Sequence, residues 1–203
     1  RGINVDYFDP TTKLENEENK LLKKWEIDKE KKIILMPGRL TSWKGQELFI
    51  EAINKVKIEL GYEAFHAVIL GNDQGRDLYK KKLIRLSEQY RLTNQLKFID
   101  HCNDMALAYK VSDVVVSSSI EPEAFGRVSV EAQSMEKLII ASNIGGSNET
   151  IIDNKSGLLF EAGNSDSLCK KIIHAITMDE IAAQLMGREG RKNVIKKFNV
   201  EKM

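Results

Sequence analysis

Residues 33–70 read IILMPGRLTSWKGQELFIEAINKVKIELGYEAFHAVIL, and this stretch decides the fold class. It holds two short apolar runs, at 33–36 and 67–70, and each run is followed within two residues by glycine. Between the runs, the apolar side chains of residues 46–60 recur at intervals of three and four, which is the spacing of one helix face. The stretch predicts a strand, a loop, a helix and a second strand, the repeating unit of a parallel sheet.

The same alternation continues along the rest of the chain. Further strands are predicted at 96–99, 113–117, 138–141 and 157–160, with helices between and after them. The valine-rich run at 113–117 is typical of a strand that is covered on both faces. The sequence therefore predicts an α/β fold, built as a doubly wound, Rossmann-like parallel sheet of about six strands.

The overall composition excludes several classes of protein. The 203 residues carry 31 basic and 30 acidic side chains, so a net charge of +1 draws the chain neither to nucleic acid nor to an anionic membrane. The apolar runs are far shorter than the roughly 20 residues of a membrane-spanning helix, so we expect no transmembrane segment. Cys102, Cys169 and the three histidines are scattered, which favours reduced thiols over a disulfide framework or a metal site.

The loop after the first strand could bind an anion. It reads GRLTSWKG, residues 38–45, with a glycine at each end and two cations, Arg39 and Lys44, before the next helix. Open α/β sheets bind ligands at this edge, and the N-terminus of a helix favours a phosphate or diphosphate. A solvated loop with incidental charges explains the same residues equally well, because neither the Walker pattern nor GxGxxG is present.

The loop after the fourth strand carries two carboxylates. It reads SSSIEPEAFGRVSVE, residues 117–131, and seven residues separate Glu123 from Glu131. The backbone N–H groups of 126–129, where a helix is expected to begin, could hold phosphate oxygens. A carboxylate accepts hydrogen bonds from the paired hydroxyls of a sugar or ribose. Surface helix charges are the alternative, and the apolar neighbours of Glu131 weaken it.

The loop after the fifth strand contains a glycine pair, Gly145-Gly146. Ser147 or Asn148 is expected to cap a helix that begins there and is directed to the same crevice. Glycine pairs are ordinary turn residues, so this loop alone indicates little.

Together these motifs resemble those of one family. Residues 117–131 are similar to the Glu-x7-Glu signature of retaining glycosyltransferases of GT-B architecture, a large group that includes glycogen synthases, sucrose synthases and bacterial lipopolysaccharide and capsule enzymes. Residues 2–8, GINVDYF, resemble the interdomain segment of that family, 38–45 its diphosphate loop and 145–149 its Gly-Gly-x-x-Glu turn. Four motifs in the family's order cover nearly the whole chain.

The resemblance implies a role for each motif residue. Arg39 and Lys44 would bind the donor diphosphate, Glu131 would hold the ribose, and the loop at 99–102 would border the base. Glu123, Arg39 and Lys44 would be the catalytic groups. The implied donor-binding residues are Gly38, Arg39, Lys44, Ile99, His101, Glu123, Phe125, Gly126, Arg127, Val128 and Glu131.

The chain departs from the family pattern at one point. The family usually has proline after the first glutamate of the signature, whereas this chain has Ala124. A second carboxylate, Glu121, lies two residues earlier. Glu123 is the expected sugar ligand because it precedes Phe-Gly and keeps the spacing to Glu131.

The resemblance also implies a reaction. A hexose-type sugar would pass from a UDP- or GDP-sugar to a glycan or lipid-linked acceptor with retention of configuration, in bacterial polysaccharide or lipopolysaccharide biosynthesis. No Asp-x-Asp pair occurs in the sequence, so we expect neither metal nor cofactor, and the cations would stabilise the leaving diphosphate. The alternatives are a sugar-nucleotide epimerase of the same architecture and a non-catalytic Rossmann-type binding module.

A domain division follows from the same resemblance. Residues 1–30 would be the interdomain segment and a leading helix, 31–180 the nucleotide-sugar-binding domain, and 181–203 a truncated C-terminal helix. The sequence begins without Met or a signal peptide, so we expect an N-terminal acceptor domain in the same protein and no transfer by this fragment alone. A cytoplasmic location is expected. Attachment to the inner face of a membrane through lysines such as 80–82 is a lesser hypothesis.

Overall fold

The computed structural model describes residues 2–61, 64–75 and 77–200, and it contains a six-stranded sheet whose strands are all parallel. The strands are β1 (Lys32–Pro37), β2 (Phe65–Leu70), β3 (Leu96–Ile99), β4 (Val114–Ser117), β5 (Leu138–Ser142) and β6 (Leu158–Phe160). The helices are α1 (Glu15–Trp25), α2 (Gln46–Leu60), α3 (Asp77–Gln89), α4 (Met105–Lys110), α5 (Arg127–Ser134), α6 (Ser147–Thr150), α7 (Ser165–Thr177) and α8 (Glu180–Lys197). A single 3-10 turn, Ser42–Lys44, lies between β1 and α2. The predicted α/β fold is confirmed.

The strand order is β3-β2-β1-β4-β5-β6. The chain runs outward from β1 to β3, returns to the centre with β4, and continues to the other edge. The order therefore reverses between β1 and β4, and a crevice opens there at the carboxyl ends of the strands. The loops that follow β1 and β4 carry the predicted anion and carboxylate motifs.

Successive residues of each strand contribute to different cores, because side chains alternate across a sheet. In β1, Ile34 and Met36 pack in the core formed with α2, α3 and α7. Ile33 and Leu35 pack in the core formed with α1, α4, α5 and α8. Both faces of the sheet are covered, which explains why the strand sequences are apolar at nearly every position.

Side-chain caps fix the start of three helices. Asp104, Asn164 and Asp179 accept hydrogen bonds from backbone N–H groups in the first turns of α4, α7 and α8. The cap expected for α6 is wrong: Ser147 is its first helical residue, and Gly146 precedes it without a side-chain cap. The Gly146 backbone contacts the loop after β4 instead, through a hydrogen bond from its N–H to the Glu123 carbonyl.

The two ends of the described chain lie together against α5 and α8. The Ile3 N–H donates to the Phe198 carbonyl at 2.9 Å, and the Val200 N–H donates to the Ile3 carbonyl at 3.2 Å. The Phe8 carbonyl accepts from the Ser134 hydroxyl at 2.8 Å and from Arg191 at 2.9 Å. The division at residues 30 and 180 stays a prediction, as does the truncation of the C-terminal helix expected at 181–203, of which α8 covers the part to Lys197 and residues 201–203 fall outside the described residues.

Candidate functional site

The loop after β1 is fastened to the loop after β4. A Cβ atom on Gly45 would lie 2.0 Å from the Ser118 carbonyl oxygen, so the two backbones approach more closely than any side chain allows. The Ser118 hydroxyl donates to the Gly45 carbonyl at 3.0 Å, and the Ile120 N–H donates to the Trp43 carbonyl at 2.8 Å. The two predicted motifs therefore form one wall.

The glycine pair after β5 completes this wall. The Gly146 N–H donates to the Glu123 carbonyl at 2.7 Å, and a Cβ on Gly146 would lie 2.5 Å from the Phe125 carbonyl carbon. The glycines thus allow the β5 loop to lie against the backbone that carries the first glutamate. All three loops selected from the sequence meet at the carboxyl edge of the sheet.

Lys44 and Glu123 form an ion pair inside this wall. The Lys44 Nζ lies 2.7 Å from Glu123 Oε1, and the two side chains are only 13% and 17% exposed. The Ser119 hydroxyl donates to the same carboxylate oxygen, and the ammonium lies 4.6 Å from the centre of the Trp43 ring. The sequence placed a phosphate ligand and a sugar ligand in one crevice, but it did not predict that they bind each other.

The start of α5 offers a smaller set of N–H groups than predicted. Gly126 precedes the helix in the left-handed conformation, with φ of 71°. The Ser129 N–H already donates to the Gly126 carbonyl at 3.0 Å. The predicted phosphate cradle at 126–129 is therefore limited to 126–128 at most. Eight residues of helix stand behind these groups and add a partial positive charge.

A cavity of about 470 Å³ opens beside α5. Its lining includes six of the eleven predicted donor-binding residues: Gly38, Arg39, His101, Arg127, Val128 and Glu131. The lining also contains Asp100 and Cys102, which belong to the loop at 99–102 that was expected to border the base, and Asn72, which was not predicted from the sequence. Basic side chains and two carboxylates, Asp100 and Glu131, thus share a cavity formed by the ends of β1, β2 and β3 and by the start of α5.

Two of the residues predicted to bind the donor have side chains that pack against other apolar side chains instead. Ile99 packs against the core, and its carbonyl accepts from the Gly71 N–H at 2.8 Å. The Phe125 ring packs edge to face on Phe198, with the ring centres 5.7 Å apart. Only the backbone of these two residues remains a candidate for ligand contact, whereas His101 is exposed and lines the cavity.

Glu131 is buried at the inner end of the cavity and has two partners. Tyr109 donates its hydroxyl hydrogen to Oε2 at 2.8 Å, and an Arg127 guanidinium nitrogen lies 3.2 Å from Oε1. Burial raises the pKa of the Glu131 carboxyl, although both partners act to lower it. Burial and the adjacent carboxylate raise the pKa of Tyr109 well above its usual range, so the phenol remains a neutral donor. Neither partnership was predicted from the sequence.

A second cavity, of about 460 Å³, adjoins the first. Met105, Arg127 and Glu131 line both cavities, and residues 2–8 supply part of the second. Tyr7, in this segment, donates its hydroxyl hydrogen to Asp104 at 3.3 Å. The segment predicted to connect two domains therefore borders the candidate site.

Two absences hold for the part of the chain that the structure describes. No group of three or more His, Cys, Asp or Glu side chains is arranged to hold a metal ion. Within the same residues, none of the helices combines the length and the apolar character that a bilayer crossing requires.

Known proteins are similar to this chain over most or nearly all of its length. The family model described as glycosyl transferases group 1 matches residues 17–193. The chain is 28% identical over 199 residues to the capsular polysaccharide biosynthesis glycosyltransferase CapM of Staphylococcus aureus, which covers 98% of this chain and 49% of CapM. It superimposes on a crystal structure of a glycosyltransferase from Rickettsia africae with a TM-score of 0.94 and 35% identity, over 99% of this chain and 52% of that one.

A third match shows the fold alone. HepE of Anabaena, solved in complex with UDP-glucose, is 24% identical and gives a TM-score of 0.88 over 99% of this chain and 53% of HepE. The chain thus spans about half the length of each relative. The family match extends over most of the chain, and the loops that it includes are those that build the site. The chain belongs to the family of group 1 glycosyltransferases, with the α/β fold of their GT-B neighbours.

Proposed function

We propose that this chain is the donor-binding half of a retaining glycosyltransferase that moves a hexose-type sugar from a UDP- or GDP-sugar to a glycan or lipid-linked acceptor. One observation carries the proposal: Lys44, Glu123 and the amino end of α5 converge beside a cavity that ends at Glu131. The β1 loop thus supplies cations, the start of α5 supplies amides, and the buried Glu131 carboxylate lies farther along α5 beside Arg127.

The arrangement matches the parts of a nucleoside diphosphate sugar. Lys44, Arg39 and the amides at 126–128 offer positive charge for the diphosphate, and the Glu131 carboxylate offers an acceptor for ribose hydroxyls. Glu123 lies next to the diphosphate position, where the sugar would follow. The complex of HepE with UDP-glucose supports a donor of this class.

The proposed chemistry needs charge stabilisation at the leaving group. As the glycosidic bond to the diphosphate breaks, negative charge grows on the phosphate oxygen, and preoriented cations and amides stabilise it more than they stabilise the ground state. We propose that Lys44 and Arg39 perform this role in place of a divalent ion. Transfer that continues at full rate in EDTA would agree with this proposal, and a requirement for Mg²⁺ or Mn²⁺ would contradict it.

The acceptor is expected to bind to a second domain of the same protein. The relatives are about twice as long as this chain, and residues 2–8 border the second cavity, where such a domain would face the donor. We propose a cytoplasmic enzyme. Lys80 pairs with Asp100, and Lys82 lies 2.6 Å from Glu47, so ion pairs within the chain already occupy two of the three lysines at 80–82.

The first experiment identifies the donor. UDP, GDP and the corresponding hexose conjugates are screened by thermal shift, and a ligand that binds the folded state raises Tm with its concentration. We expect one base to stabilise the chain, and a conjugate of that base to stabilise it as well. No shift with either base at millimolar concentration would contradict a nucleotide-sugar site.

The second experiment identifies the reaction in the longer protein. A new glycosidic bond whose anomeric configuration equals that of the donor, seen by proton NMR of the product, supports a retaining transferase. A sugar of changed configuration on the nucleotide would identify an epimerase instead. The 203-residue chain alone is expected to form no glycoside, because the proposed acceptor site lies outside it.

A further inference from the structure

The two oxygens of the Glu131 carboxylate have partners of different character. Oε1 lies beside the guanidinium of Arg127, whose side chain is 77% exposed. Oε2 accepts from the hydroxyl of Tyr109, which is fully buried. A ligand in the cavity can replace an exposed partner, but it cannot replace one whose side chain is fully buried.

Tyr109 is fixed on every side that the structure describes. It lies in α4, which Asp104 caps, and its carbonyl accepts from the Ser112 hydroxyl at 2.7 Å. Its ring packs edge to face on Phe8, with the ring centres 5.9 Å apart. The hydroxyl therefore has a fixed position, and α4 presents it to the carboxylate as a fully buried donor.

The charge of Glu131 makes this contact necessary. Burial opposes ionisation of the carboxyl, and the phenol hydrogen bond favours the ionised form. The ionised carboxylate is an acceptor at both oxygens, so Oε2 can hold the phenol hydrogen while Oε1 accepts from the ribose hydroxyls. Without the phenol, the carboxylate would keep only the exposed arginine and could rotate toward it.

We propose that Tyr109 is the positioning residue for ribose recognition: its hydroxyl holds the Glu131 carboxylate so that the other oxygen faces the cavity, where ribose hydroxyls replace Arg127. This inference rests on the proposed function, because it assumes a nucleotide in the cavity. It adds a residue that lies in the cavity wall with its side chain fully buried, and that acts on the ribose through the Glu131 carboxylate.

The test is a comparison of two ligands on two matched variants. Tyr109→Phe removes one oxygen and keeps the ring in the core. Tyr79→Phe removes the same atom from a tyrosine whose partner is the neutral amide of Gln46, at 3.2 Å on the other side of the sheet. The ligands are UDP and 2′,3′-dideoxy-UDP, with GDP and its dideoxy analogue as a parallel pair, and calorimetry gives Kd for each.

We expect the unmodified chain and Tyr79→Phe to prefer UDP over its dideoxy analogue by about tenfold to a hundredfold, the range of a hydrogen bond to a charged group. Tyr109→Phe should reduce this preference to less than about threefold, while the Kd of the dideoxy analogue changes by less than about twofold. The ratio is the decisive readout, because a purely structural role would weaken both ligands alike.

Three results would overturn the inference. If Tyr109→Phe keeps the full preference for UDP, or loses affinity for both ligands equally, the positioning role is wrong and the proposed function stands. If the unmodified chain binds neither base, the proposed function fails and the inference fails with it.

A spectroscopic measurement covers the case in which Tyr109→Phe does not fold. The chain is labelled with 3-fluorotyrosine, and the other four tyrosines are replaced by phenylalanine, so that a single ¹⁹F resonance reports on Tyr109. UDP should move this resonance, and the dideoxy analogue should not. Equal shifts with both ligands would contradict the proposal.

Discussion

Lys44→Met is the sharpest test of the anion site, because it removes a charge and keeps most of the apolar stem. The ammonium lies 2.7 Å from Glu123, in a pair whose side chains are 13% and 17% exposed. The same ammonium lies over the Trp43 ring, 4.6 Å from its centre. Methionine has almost the same length, so the packing of the stem is preserved.

Two effects of this change act in the same direction on UDP. A hydrogen bond between a charged donor and phosphate contributes about 1.5–3 kcal/mol, which corresponds to roughly 10- to 150-fold in Kd. Loss of the ammonium also leaves the Glu123 carboxylate without its cation, next to the position of the incoming diphosphate. We therefore expect UDP to bind about 30- to 150-fold more weakly to Lys44→Met, which is the upper part of that range.

The assay compares uridine, UMP and UDP by calorimetry. Uridine lacks phosphate, so its Kd should change by less than about twofold, and the loss should grow from UMP to UDP. Lys55→Met is the matched control: it removes a lysine whose Nζ lies 2.6 Å from Asp166, in an ion pair between α2 and α7. Equal affinity of Lys44→Met and the unmodified chain for UDP would refute the phosphate role, and an equal loss for uridine would indicate a general distortion.

Three further predictions concern stability. Gly45→Ala should lower the free energy of unfolding by more than about 2 kcal/mol, because its Cβ would lie 2.0 Å from the Ser118 carbonyl oxygen. The control is Gly163→Ala, at a similar φ but with no atom within 4 Å of the added Cβ. It should lower the free energy of unfolding by only about 1–2 kcal/mol. Urea unfolding measures both, and equal losses would contradict the close approach. Burial raises the pKa of Glu131, so the folded state favours its protonated form. Glu131→Gln should therefore gain stability relative to the unmodified chain as pH rises from about 4.5 to 7. A difference in the free energy of unfolding that stays constant across that range would contradict the raised pKa. The same variant should lose the preference for UDP over its dideoxy analogue. Burial lowers the pKa of Lys137 to about 8 from 10.5, so the unfolded state binds more protons above pH 8. As pH rises from about 8 to 10.5, the free energy of unfolding of the unmodified chain should therefore increase by about 1–3 kcal/mol relative to that of Lys137→Met. A difference between the two proteins that stays constant over this pH range would contradict the lowered pKa.

Periodicity and loop chemistry were sufficient to predict the fold and the edge of the sheet that carries the site. The predicted helix at 46–60 agrees with α2 in both bounds, because apolar side chains mark its buried face throughout. The cap of α6 was predicted wrongly for a local reason. Sequence preference favours a Ser or Asn side chain at a helix start, but the Gly146 N–H donates to the Glu123 carbonyl in the loop after β4, and that contact exists only after folding.

Contacts between the site residues depend on tertiary structure to different degrees. Arg127 and Glu131 are four residues apart on α5, so helix geometry alone brings them together. Lys44 meets Glu123 only because Gly45 allows the β1 loop to reach Ser118.

Tyr109 and Glu131 are a case between these two. They are 22 residues apart, and the packing of α4 beside α5 joins them. Yet each is conspicuous in the sequence. Tyr109 follows Ala106, Leu107 and Ala108, and Glu131 lies among valines and an alanine. Both polar groups would therefore be buried without an obvious local partner. Buried polar groups are hydrogen-bonded as a rule, and both helices begin at the carboxyl edge of the same sheet. Matching one unpaired donor with one unpaired acceptor at that edge would have predicted the contact from sequence.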